Sequence, residues 1–311
     1  MITRIKYLFC AVLVLFLFTY LAATEFEGWE RNNTPYFTIY HHAKDKEVVE
    51  LISPQIVQDI ENFQKTISSY PDLKARIVIS PTRDYYDNLT ADFGGIVEFS
   101  EAMYMSNSET IYIRNLQNLK NYVKLRQIIL HEYIHFFVES RYRDLPLWFN
   151  EGMAVYFSGD LTFERELRYA RDFLLGNTQT LNEMRIYYPA SQIQWESFYA
   201  KSGLAIKYLY SNYREGFYQL WSEDNPRSRF SLSFFHAFRM TEFQYSVLLE
   251  ESLTKRFRIE ILLTSSGLIW GVLPLVLLIA WIHKKHRNKK IKEEWSRTEL
   301  PDFTVPVEPE E

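Results

Sequence analysis

The sequence predicts an α+β protein with four parts: a small N-terminal mixed sheet, an apolar helix bearing a metal-binding motif, a helical C-terminal half, and a C-terminal transmembrane helix. Three observations support this. Short β-branched and aromatic runs alternate with a helical pattern up to Arg114. From Arg126 to Gly159 the chain reads RQIILHEYIHFFVESRYRDLPLWFNEGMAVYFSG, apolar at nearly every helical azimuth. Near the other end, residues 261–282 contain no charged side chain.

In order along the chain, Tyr36–Tyr40 (YFTIY) predicts a strand, with His41-His42 as exposed polar residues at its end. Val48, Val49, Ile52, Ile56, Ile60, Phe63 and Ile67 recur at helical spacing, with Pro54 able to start a second segment. Ala75–Ser80 (ARIVIS) is a buried strand and Arg83–Leu89 a short helix. The piece from Gly94-Gly95 to Ser106 is loop with some strand character, and Glu109–Arg114 (ETIYIR) is a further strand. The motif helix is expected over Leu119–Ser140. A second begins at Asp144-Leu145-Pro146, with Asp144 as its cap. Beyond Gly159, helices are expected over Phe163–Leu175, Tyr199–Tyr213, Gly216–Trp221, Ser231–Arg239 and Thr241–Phe257.

The motif is His131-Glu132-Tyr133-Ile134-His135. On a helix the two histidines are separated by about 40° in azimuth and about 6 Å along the axis, so two imidazoles can share one zinc ion. Glu132 beside them can act on a water as general base. Three ionisable side chains in so apolar a helix are costly unless a metal compensates them. Glu151, on the next helix, is the candidate third ligand. Gly152 beside it would let two helix backbones approach closely.

The chain ends bound the location. An apolar run from Tyr7 to Ala23 follows Arg4 and Lys6, which reads as a signal peptide or signal anchor over residues 1–24. Residues 261–282, as a helix about 33 Å long, are expected to cross a bilayer. The basic cluster from His283 to Lys290 then marks residues 283–311 as a cytoplasmic tail. Residues 25–258 become an extracytoplasmic domain held at the cell membrane by one span, or by two if the leader is retained. The single cysteine, Cys10, lies in the leader, so this domain would depend on its core rather than on disulfides. A net charge of −4 gives no electrostatic footprint for nucleic acid.

H-E-Y-I-H, followed by L-P-L-W-F-N-E-G-M-A-V-Y-F and later by F-Y-A-K-S-G-L-A-I-K-Y-L, resembles the gluzincin zinc metallopeptidases, specifically the peptidase MA-like domains. The resemblance spans about residues 35–257 and is specific only in 126–159. It implies a zincin-like, thermolysin-like domain with His131, His135 and Glu151 as ligands of one Zn2+ and Glu132 as general base. It also implies a donor to the developing oxyanion from a later helix, for which Tyr199 is the first candidate and His236 a weaker one. An edge strand near the metal pairs with extended peptide in such enzymes, and Glu109–Arg114 is the candidate here, an interior strand being the equal alternative. The expected activity is hydrolysis of peptide or protein substrates near a membrane. The competing expectation is a catalytically silent module that keeps the fold for binding; the complete set of His131, Glu132, His135 and Glu151 favours the enzyme. An intramembrane protease is disfavoured because the motif lies far from either apolar run.

Overall fold

A computed structural model describes residues 28–90, 101–116, 121–189, 192–222 and 227–298, with backbone only at 90, 192–193, 258–272 and 294–298. The expected leader over 1–24 and residues 299–311 of the tail lie outside these residues. The chain divides into two units, Met1–Glu250 and Glu251–Glu311.

The first unit is built on a five-stranded sheet: β1 (Glu30–Asn33), β2 (Phe37–His41), β3 (Ala75–Ile79), β4 (Ala102–Met105) and β5 (Thr110–Ile113), in the spatial order β1-β2-β3-β5-β4. β2, β3 and β5 run parallel, with Ile39 opposite Ile77 and Ile77 opposite Ile111. β1 and β4 pair antiparallel at the two edges. Ile77, Val78, Ile79, Ile111 and Ile113 are fully buried, as expected for central strands covered on both faces.

Parallel neighbours require a crossover, and helix α1 (Lys46–Ile67) supplies it between β2 and β3. Eight residues buried along one face, from Val49 to Ile67, hold α1 continuous through Pro54. Burial thus outweighs the roughly 3 kcal/mol that an interior proline costs, and no second segment starts there. The remaining helices are α2 (Arg83–Thr90), α3 (Tyr122–Arg141), α4 (Leu147–Phe157), α5 (Phe163–Leu174), α6 (Gln192–Asn212), α7 (Arg214–Ser222), α8 (Phe230–Phe238) and α9 (Glu242–Thr298). Two short parallel strands, β6 (Tyr142–Arg143) and β7 (Ser228–Arg229), join the segment after α3 to the one before α8.

Much of the aromatic content is core. Phe149 meets Phe230 at 4.4 Å between ring centroids, Phe137 meets Trp221 at 5.4 Å, and Trp148 meets Tyr245 at 5.7 Å.

The expected α+β, thermolysin-like architecture with a separate membrane helix is corrected on two counts. The fold is mixed α/β and predominantly helical, because the sheet centre is parallel and its crossover interleaves helix with strand. Among the described residues, no helix is long and apolar enough to cross a membrane. Residues 261–282 do not form a helix of their own. They lie within the 57-residue α9, whose backbone continues through Lys255, Arg256, Arg258 and Glu260 on one side and Lys284 to Lys290 on the other. The side chains of 258–272, which include 12 of the 22 residues of the expected span, lie outside the described residues.

Candidate metal centre

Three helices position the site. α3 is capped by Asn121, whose side chain accepts hydrogen bonds from the amides of Val123 (3.0 Å) and Lys124 (3.2 Å). Its outer face is clamped to α1 by Arg126, which donates to both carboxylate oxygens of Asp59 (3.0 and 2.8 Å) and to Gln55 (2.7 Å). Deeper in, Gln64 of α1 donates to the Tyr133 hydroxyl at 3.2 Å. These contacts fix the rotation of α3, and with it the direction of His131, Glu132 and His135.

α4 follows a turn in which Asp144 adopts a left-handed backbone (φ 57°), so Asp144 does not cap the helix; Pro146 occupies that position. The Pro146 carbonyl accepts the amides of Phe149 and Asn150. Gly152 has the packing role expected of it, but toward α6. A Cβ there would lie 2.3 Å from the Ser202 carbonyl oxygen and 2.7 Å from Ile206, so only glycine permits this approach. The contact sets the depth of Glu151, the preceding residue.

His131, His135 and Glu151 come together, with one potential ligand atom from each lying within 4.8 Å of the others. Oε2 of Glu151 is 3.6 Å from His135 Nε2 and 3.8 Å from His131 Nε2. That oxygen is buried and accepts no hydrogen bond. A buried carboxylate oxygen without a donor, facing two imidazole nitrogens, fits a cation. The three residues can therefore hold one metal ion.

The electrostatics of the protein alone are those of a charge-stabilised cluster. Burial on its own would lower the His135 pKa, but the carboxylates of Glu151 and Glu132 outweigh it and the value is raised. Burial would raise the Glu151 pKa, but His135, His131 and the Tyr188 hydroxyl bring it down.

Two supporting residues were not identified from the sequence. His135 Nδ1 lies 3.0 Å from Asn150 Oδ1, and Asn150 Nδ2 donates to Glu139 Oε1 at 3.0 Å. Since the amide nitrogen is committed to a carboxylate, Oδ1 must accept from His135. This places the proton on Nδ1 and the lone pair on Nε2, toward Glu151. The available signal was the spacing: Glu139 is one helical turn beyond His135, and Asn150 immediately precedes Glu151.

Glu132 is nearly buried, and its Oε2 accepts the backbone amide of Tyr104 at 2.7 Å. Tyr104 is on β4, the sheet edge. Of the two readings of Glu109–Arg114, the interior one holds: Thr110–Ile113 is β5, buried at all four positions between β3 and β4. An alternating strand of this kind is indistinguishable from an edge strand until its neighbours are known. The shorter AMYM segment of β4 is the edge beside α3.

Tyr199, on α6, lies close enough to Glu151 and Glu132 that both carboxylates add to the effect of burial and raise its pKa well above 10. A second tyrosine, not singled out from the sequence, touches the site directly: the Tyr188 hydroxyl donates to Glu151 Oε1 at 2.6 Å. Burial, then the Glu151 charge, likewise keep Tyr188 protonated. His236 is exposed on α8 and is not part of the cluster. His41 is buried rather than exposed, its Nδ1 3.0 Å from the His42 carbonyl, and His42 packs on Trp29 at 4.3 Å.

No protein-family model matches the chain. No curated protein matches it either.

Proposed function

We propose that this protein is a zinc-dependent metallopeptidase of gluzincin type. The observation that carries this reading is the convergence of His131 Nε2 and His135 Nε2 on a single buried, unpartnered oxygen of Glu151, with Glu132 on the same helix beside them. Two imidazoles and one carboxylate are a donor set of catalytic zinc sites, which keep a further position open. When bound, zinc would act as a Lewis acid on the scissile carbonyl and make water nucleophilic near neutral pH.

The chain's own residues supply the rest. Glu132 takes the proton from the attacking water and returns it to the leaving amine. Tyr199, protonated throughout, donates toward the oxygen of the carbonyl under attack. The amide of Tyr104 points away from β5 toward Glu132, and among the described residues no strand pairs with β4 on that side. An extended peptide can pair there and lie across the motif helix. The Tyr104 amide holds Glu132 in orientation until then. Asn150 and Glu139 keep His135 in the ligand tautomer.

The test compares wild-type protein with Glu132→Ala for bound metal and for cleavage of a peptide library. Both should bind zinc at one ion per chain, and only the wild type should cleave. Absence of bound zinc in the wild type would sink the proposal. Stoichiometric zinc without turnover would point instead to a binding module.

A further inference from the structure

The two carboxylate oxygens of Glu151 have different surroundings. Oε2 is the atom that faces the two histidines and has no hydrogen-bond donor. Oε1 accepts the Tyr188 hydroxyl at 2.6 Å. Tyr188 lies between Arg185 and α6, and its ring is held by α6: it stacks on Trp195 at 4.7 Å with an interplanar angle of 12° and packs on Phe198 at 5.5 Å. α6 is also the helix against which Gly152 packs. One interface thus sets both the depth of Glu151 and the position of the phenol bonded to it.

A carboxylate can bind a cation through one oxygen or both. With two imidazoles already present, a two-oxygen Glu151 would fill all four positions that zinc prefers, so water or substrate could bind only as a fifth ligand. A short hydrogen bond from a fixed phenol competes directly with that mode. We propose that Tyr188 is a positioning residue that holds Oε1 out of the coordination sphere, making Glu151 a one-oxygen ligand and keeping the reaction position open. The assignment rests on the metal reading above and goes beyond it by explaining why the site is open.

Cobalt(II) replaces zinc as a spectroscopic probe, because its visible absorption weakens as its coordination number rises. The full chain is loaded with cobalt as wild type, Tyr188→Phe and Trp195→Leu, and zinc affinity is measured in parallel by competition with a chelating dye. Tyr188→Phe keeps the ring that packs on Trp195 and Phe198, and a thermal melt of the metal-free variant checks its fold. The expected result is weaker visible absorption per bound cobalt in Tyr188→Phe, with zinc affinity lowered about tenfold or more, as for other supporting partners of a ligand. Trp195→Leu leaves the hydroxyl but loosens the ring. It should shift the spectrum in the same direction, and it carries the test if Tyr188→Phe does not fold. Tyr187→Phe, which removes the exposed phenol next in the chain, should leave the cobalt spectrum unchanged. A Tyr188→Phe spectrum superimposable on that of the wild type overturns the assignment while leaving the metal reading intact. A wild-type chain that binds no metal overturns both.

Discussion

His135 and Glu151 stabilise each other's charged forms when no metal is bound, and this sets a pH dependence with a definite sign. The folded His135 pKa is raised above 6.5, so its contribution to stability is complete below about pH 6.5 and is lost as pH rises through the folded value. The folded Glu151 pKa is lowered from 4.5, so its contribution is present above about pH 4.5 and is lost as pH falls through the folded value. The metal-free protein should therefore lose stability as pH rises past about 6.5. Zinc requires His135 neutral, so its affinity should rise over that same range. Thermal midpoints recorded with and without zinc from about pH 5.5 to about 8.5 should diverge with increasing pH; parallel curves would contradict the assignment. Within the centre, His131, Glu132 and His135 were legible because they stand at helical spacing on one helix, and Glu151 was nominated as the acidic residue of the next helix. Asn150, Glu139 and Tyr188 were not, since an amide, a surface-type carboxylate and one of 22 tyrosines look ordinary until something faces them.

At the level of elements, the contact between α4 and α6 sets the depth of Glu151. Gly152→Ala would place a methyl group 2.3 Å from the Ser202 carbonyl, a backbone atom that cannot rotate aside. The expected cost is about 1–3 kcal/mol of stability from overpacking, together with weaker zinc binding as Glu151 shifts. Denaturant titration and metal competition read the two effects separately, and a wild-type midpoint would show that the interface yields freely. Most helices were legible within a few residues, because α1 and α5 carry one-sided apolar spacing and α3 a long apolar run. β1 was not: Glu-Arg-Asn-Asn has no apolar alternation and becomes a strand only through its antiparallel pairing with β2. Glu109–Arg114 could be read as edge or interior for a related reason: edge or centre is a property of neighbours, not of a segment.

For the molecule as a whole, the proposed metal joins α3 to α4 at a point otherwise held by like and unlike charges in close contact. A ligand that binds only the folded state stabilises it by mass action, by about 4 kcal/mol when free zinc exceeds the dissociation constant 1,000-fold. Chelation should lower the thermal midpoint of the wild type by several degrees, and zinc should restore it. His131→Ala should show no such response. Equal melting of wild type with and without chelator would contradict a site that binds the folded state. The parallel centre of the sheet belongs to this scale as well. Strand direction in β2, β3 and β5 was not readable from their apolar runs, because buried strands of either direction have the same composition.

The sequence by itself determined the helix and the spacing that put His131 and His135 on one face with Glu132 beside them, and nominated Glu151, because a period of 3.6 residues converts linear distance into a shared face. It also determined an apolar, disulfide-free core rich in aromatic rings. Tertiary structure decided which Glu151 oxygen meets the histidines, which residues orient them, and that β4 rather than β5 lies at the edge of the sheet. These are relations between segments distant in the chain. They depend on close packing, such as that of Gly152 on Ser202, which no local period encodes.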